Sequence, residues 1–414
     1  MSGDLTHISP TLQSKLYIDT LKKTGKNIYN FGLGENSVKQ SPYYIEKVQE
    51  YAHKKEYGSS EGIPVLNQTL KNMYDNDKTN YDILVGNGLK ELLFIVQCAF
   101  VGKIIHVTPS WVSYKEHIDM LGRKDDLIEI RTDIKNNFRI DLVELETILN
   151  SIKNEPKMII LNNPNNPTGM CYNNEELESL GLLFKKYDCV VFSDEIYLNL
   201  SYTPNQKSIY EFIPKLTIRG SSVSKDLACG GYRIGWCAFP ESLNPFFAKC
   251  CNYGSRTYSN VSSPMQYATN DLLQNKDLCK TYIENTKRLY KHVSGKLLDS
   301  LKGKKLLFIE TEGAWYVFID FSNYKEELKK INITTSIELS NYLIQNYQII
   351  TVAGEHFNHN SLSLRLSFVD FEFDFEGSVK IEDVNIDNML GGIKQLHLFL
   401  DNIIKYKNEG QVLF

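Results

Sequence analysis

The chain has 414 residues, of which 42% are hydrophobic and 23% are charged, so it is a globular chain long enough for two domains. Its formal net charge is −4, and it has no basic stripe with interleaved aromatic residues, which argues against nucleic-acid binding. It contains no run of about 18 apolar residues, so the sequence predicts no membrane span.

Helix and strand patterns alternate up to about residue 240. The first predicted elements are a helix within residues 10–30, a strand that starts at Ile28, a helix over 42–54 opened by Pro42, and a helix over 65–74. Strands then follow at 83–85, 104–107, 127–130, 158–161, 190–193, 216–223 and 236–239, with helices at 89–100, 114–121, 142–152 and 177–187. Because several strands are continuous apolar runs, we expect an α/β domain whose mostly parallel sheet is covered on both faces.

The pattern changes after about residue 265. One long helix is predicted over 264–301, antiparallel strands at 305–309, 314–319 and 362–368, and a closing helix at 385–406. We therefore expect a second, smaller α+β domain. The acidic stretch 369–384 is interpreted as an exposed hairpin or an insertion, since its acids lack the glycine spacing of a metal-binding loop.

The cysteines and histidines give no sign of a metal or disulfide site. The eight cysteines lack C-x-x-C spacing and mostly lie in apolar segments, and the eight histidines form no ligand cluster. The first residues contain no apolar stretch of the kind found in signal peptides. We therefore predict reduced thiols, no bound metal and a cytoplasmic location.

Chemically useful side chains follow five strand ends in chain order, and in an open α/β sheet ligands bind at the carboxyl ends of the strands. They are a Gly-Asn-Gly turn opening a helix at 86–90, an aromatic plate at Trp111, amides in 162–169, the acid and phenol of Asp194 and Tyr197, and the amine of Lys225. Each has a plain alternative as a turn, a core residue or a helix cap. Five such types in succession favour a single composite site.

The stretch 221–236 surrounds Lys225 with a serine-rich approach and a glycine-rich exit. The pKa of a lysine falls with burial, so Lys225 is a candidate nucleophilic amine. Ser222, Ser224 and Arg233 suit a phosphate group. A Schiff-base lysine beside a phosphate site meets the needs of pyridoxal phosphate. Taken alone, the stretch is equally compatible with a surface loop of solvated charges.

Six short motifs lie in order along nearly the whole chain. They are Gly62-Ile-Pro64, Pro109-Ser-Trp-Val-Ser-Tyr114, Asn163-Pro-Asn-Asn-Pro-Thr-Gly169, Ser193-Asp-Glu-Ile-Tyr197, Ser224-Lys225 with Gly231-Tyr-Arg-Ile-Gly-Trp236, and Leu364-Arg-Leu-Ser-Phe368. In this order they resemble the fold-type I aminotransferases, specifically the class I aspartate, aromatic and alanine aminotransferase family. The resemblance implies a large domain at 41–285 with a mostly parallel seven-stranded sheet flanked by helices. It also implies a smaller α+β domain formed by 1–40 and 286–414, and the cofactor pyridoxal 5'-phosphate.

The resemblance further implies a role for each cofactor-binding residue. Lys225 holds the cofactor covalently and later carries a proton, Asp194 keeps the ring nitrogen protonated, and Tyr197 bonds a ring oxygen. The remaining cofactor-binding residues are Asn166 at the ring oxygen, Trp111 against the ring, and Gly88, Leu89, Lys90, Ser222, Ser224 and Arg233 at or near the phosphate. Tyr57 reaches the phosphate of a neighbouring subunit, which implies a homodimer.

Substrate-binding residues are implied in the same way. Arg365 pairs with the substrate α-carboxylate, Gly34 lies on a loop that closes over the substrate, and Trp111 and Asn166 line the same site. Lys90 matches a position that reaches the distal carboxylate of acidic substrates, although a first-turn lysine can also simply face solvent. We therefore expect a small-molecule enzyme that accepts 2-oxoglutarate with an acidic or aromatic amino acid such as aspartate.

The chain departs from the family pattern near the substrate. The usual Gly-Glu-Pro-Asp-Phe reads Gly34-Glu-Asn-Ser-Val38 here, and the usual Val-Pro-Gly reads Val352-Ala-Gly354. The acidic stretch 369–384 looks like an addition. The closing loop is therefore expected to differ from that of the family.

Two other functional classes remain open from sequence alone, because a fold does not settle a function. The same cofactor residues serve lyases and synthases, including 1-aminocyclopropane-1-carboxylate synthase and C–S lyases, and Ser224-Lys-Asp-Leu227 is as close to that synthase as to the transferases. A non-enzymatic regulator of this fold is expected to carry an attached DNA-binding domain, and the sequence predicts none.

Overall fold

The computed structural model describes residue 25, residues 27–74 and residues 79–409. After a short first strand, β1 (Tyr29–Asn30), the chain builds one large sheet from β2 (Tyr81–Gly86), β3 (Lys103–Thr108), β4 (Leu127–Arg131), β5 (Lys157–Asn162), β6 (Val190–Asp194), β7 (Thr217–Ser222) and β8 (Gly235–Pro240). The seven strands lie in the order β2-β8-β7-β6-β5-β3-β4. Only β8 runs antiparallel to its neighbours, so the predicted mostly parallel seven-stranded sheet is confirmed.

Helices cover both faces of this sheet, since alternate strand residues enter two different apolar clusters. Ile104 and Ile160 pack with the helices α3 (Leu89–Ala99) and α4 (Val112–Met120), together with α7 (Asn244–Thr257). Ile105 and Ile159 pack with α5 (Leu142–Ser151) and α6 (Asn174–Lys186) on the opposite face. The interior strand β5 is buried at all six positions, as its continuous apolar run at 158–161 predicts for the middle of the strand.

The helices before and after this sheet pack in a third apolar cluster, which is larger than the two on the faces of the sheet. They are α1 (Pro42–Glu50) and α2 (Pro64–Tyr74) before it, and α8 (Ser263–Gln274) and α9 (Lys276–Leu301) after it. Pro42 and Pro64 each open a helix, where a missing amide proton costs nothing. The predicted helix within residues 10–30 falls almost entirely outside the described residues.

A smaller antiparallel sheet is formed by the C-terminal part of the chain. It has the order β11 (Val352–Ala353), β12 (Ser363–Ser367), β9 (Tyr316–Asp320), and β10 (Ile349–Ile350) pairs separately with β1. The accompanying helices are α10 (Lys325–Lys330), α11 (Ser336–Tyr347) and α12 (Asp387–Glu409). The apolar spacing of the sequence did not predict the elements α7, α10, α11, β10 and β11.

Three sequence expectations were wrong in detail. Residues 264–301 form two helices, because Asn275 ends α8 and its side chain caps α9 by accepting from the Leu278 amide at 3.3 Å. Residues 305–309 are not a strand, since they make only one isolated bridge between Leu307 and Asp320. The stretch 369–384 is not a hairpin, because Phe373 is buried and bridges Val38 rather than a neighbouring strand.

Candidate active site

A cavity of about 720 Å³ lies at the carboxyl ends of the parallel strands. Its wall includes most of the residues that the sequence analysis selected: Gly34, Leu89, Lys90, Trp111, Asn166, Asp194, Tyr197, Ser224, Lys225, Arg233 and Arg365. The rest of the wall includes Leu33, Glu35, Asn36, Tyr114, Asn162 and Tyr316. Residues that are far apart in sequence therefore meet in one concave site.

Lys225 follows β7 and extends its half-buried side chain across the cavity. Its Nζ donates a hydrogen bond to the carbonyl oxygen of Gly34. The same nitrogen lies 5.8 Å from the centre of the Tyr197 ring and 5.9 Å from that of Trp315. The amine is thus held between aromatic faces and a backbone carbonyl, in reach of a molecule inside the cavity.

Asp194 ends β6, the strand beside β7, and its carboxylate is fully buried. The hydroxyl of Tyr114 donates to Oδ2 at 2.6 Å and the amide of Ile196 donates to Oδ1 at 3.2 Å. Burial raises the pKa of Asp194 to about 6, although both hydrogen bonds oppose the shift. A buried carboxylate of this kind is best matched by a cationic group within the cavity.

Asn162 ends β5 and fixes the neighbouring loop. Its side chain donates to the Asp194 carbonyl at 3.1 Å and accepts from the Asn166 amide at 2.8 Å. Sequence analysis included Asn162 only within the amide-rich stretch 162–169 and gave it no role. Tyr114 was also missed as a site residue, although it belongs to the quoted motif that starts at Pro109 and its position on the first turn of α4 could have suggested it.

An anion-binding end is formed where α3 begins. Gly88 is the N-cap of α3 and has no side chain, so the first amides of the helix are open to a ligand. Gly88 has φ 82°, and a Cβ there would lie 2.3 Å from Arg233 Nη2, so only glycine allows this approach. The Arg233 guanidinium donates to the carbonyls of Asn87 at 2.9 Å and Gly230 at 2.8 Å. A positive charge therefore stands beside the helix N-terminus.

Arg365 of β12 brings a second, fully buried guanidinium to the cavity. Its Nη1 donates to Asn166 Oδ1 at 3.1 Å and its Nη2 to the Gly32 carbonyl at 2.7 Å. Its Nε has no hydrogen-bond partner among the residues that the structure describes. Burial lowers the pKa of Arg365, while the nearby hydroxyls of Tyr316 and Tyr197 oppose this. No carboxylate neutralises this arginine within the described contacts, so an anionic ligand would.

Tyr316 of β9 is a site residue that the sequence did not reveal. Its hydroxyl lies 2.7 Å from that of Tyr197, and its ring centre lies 4.8 Å from the Arg365 guanidinium. Tyr316 also leaves no space for a side chain at position 34, because a Cβ on Gly34 would lie 2.6 Å from the Tyr316 hydroxyl. This residue joins the two sheets at the cavity, a contact that only the tertiary fold creates.

Lys90 and Trp111 form one edge of the cavity mouth. The Lys90 ammonium lies 5.1 Å from the centre of the half-buried Trp111 ring, although the lysine side chain as a whole is exposed. Partial desolvation lowers the pKa of Lys90, and Glu116 opposes this shift. This position lets a cation meet a ligand that extends past Trp111.

Three predicted residues lie outside the cavity wall. Ser222 is buried behind it and accepts from the Ser224 amide at 3.1 Å, and Gly88 lies behind Arg233. Tyr57 is 91% exposed and is not part of the cavity wall of its own chain. Within residues 27–74 and 79–409, there is no group of three metal-ligating side chains and no helix long and apolar enough to cross a membrane.

Comparison with known families gives one match over most of the chain. The model for aminotransferase class I and II matches residues 26–372. A probable aspartate/prephenate aminotransferase of Aquifex aeolicus is 27% identical, over 89% of this chain and 94% of its own length. An asparagine–oxo-acid transaminase of Streptococcus mutans is 29% identical, over 87% of this chain and 92% of its own length.

Solved structures give the same fold. An aspartate aminotransferase from Thermus thermophilus with maleate has a TM-score of 0.79 at 22% identity, covering 96% of this chain and 99% of its own. An aspartate aminotransferase from Thermotoga maritima also has a TM-score of 0.79, at 24% identity, covering 95% of this chain and 98% of its own. These relatives are transaminases, and they give the lyase or synthase alternative no support.

Proposed function

The chain belongs to the aminotransferase class I and II family, and we propose that pyridoxal 5'-phosphate, bound in the cavity at the strand ends, is the cofactor of its amino transfer. The enzyme moves an amino group between an L-amino acid and a 2-oxo acid. One observation carries the cofactor proposal: the Lys225 amine, on the turn after β7, and the buried Asp194 carboxylate, at the end of the adjacent strand β6, line one cavity whose far end is a helix N-terminus with Arg233.

The residues present fit this cofactor. The Asp194 carboxylate is buried with a pKa raised to about 6, and a protonated ring nitrogen would supply its missing cationic partner. The open amides of α3, together with Ser224 and Arg233, suit the phosphate. Trp111, at the cavity wall, suits a flat ring.

The chemistry divides between the cofactor and the chain. Pyridoxal phosphate supplies an electron sink for the charge that develops when a proton leaves the amino-acid Cα. Lys225 Nζ would hold the cofactor, and the same nitrogen would be the base that moves a proton at that carbon. Asp194 keeps a proton on the ring nitrogen, and the Tyr197 hydroxyl, which already bonds Tyr316, orients the ring oxygen. Asn166 contributes at the same oxygen while it orients Arg365.

We assign the substrate α-carboxylate to Arg365 and the distal carboxylate of acidic substrates to Lys90. Arg365 is buried and carries an unpartnered Nε, so a carboxylate would satisfy it. Lys90 stands at the mouth beside Trp111. The names of the relatives, which include aspartate, prephenate and asparagine, support an acidic or aromatic donor with an acceptor such as 2-oxoglutarate.

We also propose a homodimer, a cytoplasmic location and the two-domain division at residues 41 and 285. The 91% exposure of Tyr57 suits a residue that acts in a partner's site, and the pairing of β1 with β10 suits a small domain built from both ends of the chain. All eight cysteines are unpaired, which suits a reducing compartment.

Half-transamination tests the proposal. Holoenzyme mixed with aspartate alone should show the absorbance band of the bound cofactor moving to shorter wavelength, with one equivalent of oxo acid released. Serine should serve as a poor donor. Steady release of ammonia and pyruvate from a donor, with the band unchanged at the end, would instead support the lyase alternative.

A further inference from the structure

We propose that Asn36 is a positioning residue, whose carboxamide ties the loop 34–38 to the backbone of Lys225 and holds that loop against the cavity. The inference rests on the function proposed above only in that Lys225 is the reacting lysine. The loop contributes Gly34, Glu35 and Asn36 to the cavity wall, so its position shapes the space in which the ligand binds.

Both polar atoms of the Asn36 carboxamide make hydrogen bonds. Its Nδ2 donates to the Lys225 carbonyl oxygen at 2.6 Å, across 189 residues of sequence. Its Oδ1 accepts from the Tyr290 hydroxyl at 3.0 Å and from the Val38 amide at 3.0 Å. Because the planar carboxamide makes three hydrogen bonds in three directions, it has a single orientation. The loop 34–38 and the Lys225 backbone are therefore held at a fixed distance and angle to each other.

Tyr290 of α9 provides a rigid base for this contact. Its side chain is fully buried, and its ring centre lies 4.6 Å from that of Trp315. Its hydroxyl accepts from the Ser37 amide at 2.9 Å while it donates to Asn36. The loop is therefore anchored to a long helix as well as to the turn that carries Lys225.

The stretch 369–384 holds the other end of the loop. Ser37 Oγ donates to the Val369 carbonyl, and the Lys39 amide donates to the Phe373 carbonyl at 2.8 Å. Lys39 also makes an ion pair with Asp374 at 3.1 Å, but both side chains are exposed. The segment that looked like an addition in sequence thus serves as a support for the loop.

The tie through Asn36 does not depend on the state of the lysine amine. Lys225 Nζ donates to the Gly34 carbonyl, and an amine that has reacted has fewer protons to give. The Lys225 carbonyl is unchanged by chemistry at Nζ, so its bond from Asn36 remains available. Proline, which the family pattern would have at position 36, could make none of the three Asn36 side-chain bonds.

Two substitutions separate the tie to Lys225 from the rest of the network. Asn36→Asp keeps an acceptor for Tyr290 and Val38 but cannot donate to Lys225, and Asn36→Ala removes all three bonds. Amide hydrogen exchange of residues 31–40 in the full chain, with and without pyridoxal phosphate, should rise about 3- to 10-fold in Asn36→Asp, the worth of one net hydrogen bond, and by at least as much in Asn36→Ala. The KM for aspartate and for alanine should rise by a similar factor, with kcat within about twofold of the parent value.

Lys39→Ala is the matched control, because it disturbs the same loop through an exposed ion pair that contributes little. Its exchange and KM should stay within about twofold of the parent values. If Asn36→Ala does not fold, Asn36→Asp alone decides. Unchanged exchange in Asn36→Asp overturns the proposal, as does faster exchange with an unchanged KM. Failure of the proposed function would appear separately, as a parent enzyme without transamination, and exchange in the cofactor-free protein would still report the tie.

Discussion

The two sides of the cavity are built by different means. On one side, Asp194 ends β6 and Lys225 lies on the turn that follows the neighbouring parallel strand β7, so the register of the sheet brings the two segments side by side. On the other side, the loop 34–38 and Arg365 come from segments far away in sequence and are held by side-chain hydrogen bonds. In the function proposed above, the rigid side would carry the chemistry, and the hydrogen-bonded side would shape what the cavity accepts. Variants of the first side should therefore lower kcat, and variants of the second should mainly raise KM.

Lys225→Ala should have the largest effect. Loss of the amine removes both the covalent attachment and the proton carrier, so kcat should fall by at least about 10³-fold. The far-UV circular dichroism should stay that of the parent, because the half-buried side chain is not part of a core cluster. Lys215→Ala, an exposed lysine near the start of β7, is the control and should keep full turnover. A Lys225→Ala enzyme with the parental kcat would show that Lys225 is not the reacting amine of this cavity.

Asp194→Asn should cause the second-largest loss of kcat. An amide cannot hold a proton on the ring nitrogen, so kcat should fall by about 10²- to 10³-fold, in line with the loss of one buried electrostatic partner. The KM for aspartate should change little, because Arg365 and Lys90 are untouched. Turnover within twofold of the parent would mean that Asp194 faces something other than the ring.

Lys90→Ala tests the proposed contact with the distal carboxylate of acidic substrates. The KM for aspartate and 2-oxoglutarate should rise by about 10- to 100-fold, the worth of one charge-assisted hydrogen bond. The KM for neutral and aromatic donors should not change, so a comparison of acidic with neutral donors in the same variant is the internal control. Equal losses on acidic and neutral donors would show that Lys90 serves the cofactor or the fold instead.

The last predicted effect is on the pH dependence of stability, and its sign should reverse when the cofactor binds. The folded-state pKa of Asp194 is raised to about 6 from 3.8, so folding penalises its charged form above that pH and carries no such penalty below about pH 4. Cofactor-free Asp194→Asn should therefore be more stable than the parent by about 1–3 kcal/mol at pH 8, with the gain fading towards pH 4. Urea unfolding at the two pH values measures it.

A second buried acid provides the control for that measurement. Burial also raises the pKa of Asp226 to about 6, but Asp226 bonds Asn199 and is not part of the cavity wall. Added pyridoxal phosphate should turn the gain of Asp194→Asn into a loss, while the effect of Asp226→Asn stays as it was. A cofactor-independent result at Asp194 would contradict its pairing with the ring.

The sequence predicted the rigid side far better than the other. Asp194 follows an apolar run, and Lys225 lies between a serine-rich approach and a glycine-rich exit. These local patterns, together with the rule that ligands bind at the carboxyl ends of parallel strands, located both residues. Tyr316 and Tyr290 gave no such signal, because each reaches the site through a contact between distant elements. The wrong helix at 264–301 has a similar cause, since the capping role of Asn275 depends on a backbone turn that apolar spacing does not record.

The departure at position 36 shows the same limit. Sequence analysis noted that the family's proline is absent, but the bond from Asn36 to the Lys225 carbonyl exists only because two segments meet. The stretch 369–384 was expected to be an exposed hairpin or an insertion, because its acids lack the glycine spacing of a metal-binding loop. In the structure, its backbone supports the loop 34–38 at Phe373.

Reduction of the cofactor-loaded enzyme with borohydride, followed by peptide mapping, tests most directly that Lys225 is the reacting lysine of this cavity. Borohydride makes the covalent link permanent, so a single pyridoxyl-phosphate adduct should be found on the peptide that contains Lys225, and it should be absent from Lys225→Ala. An adduct on another lysine, such as Lys90, or no adduct at all, would contradict the account.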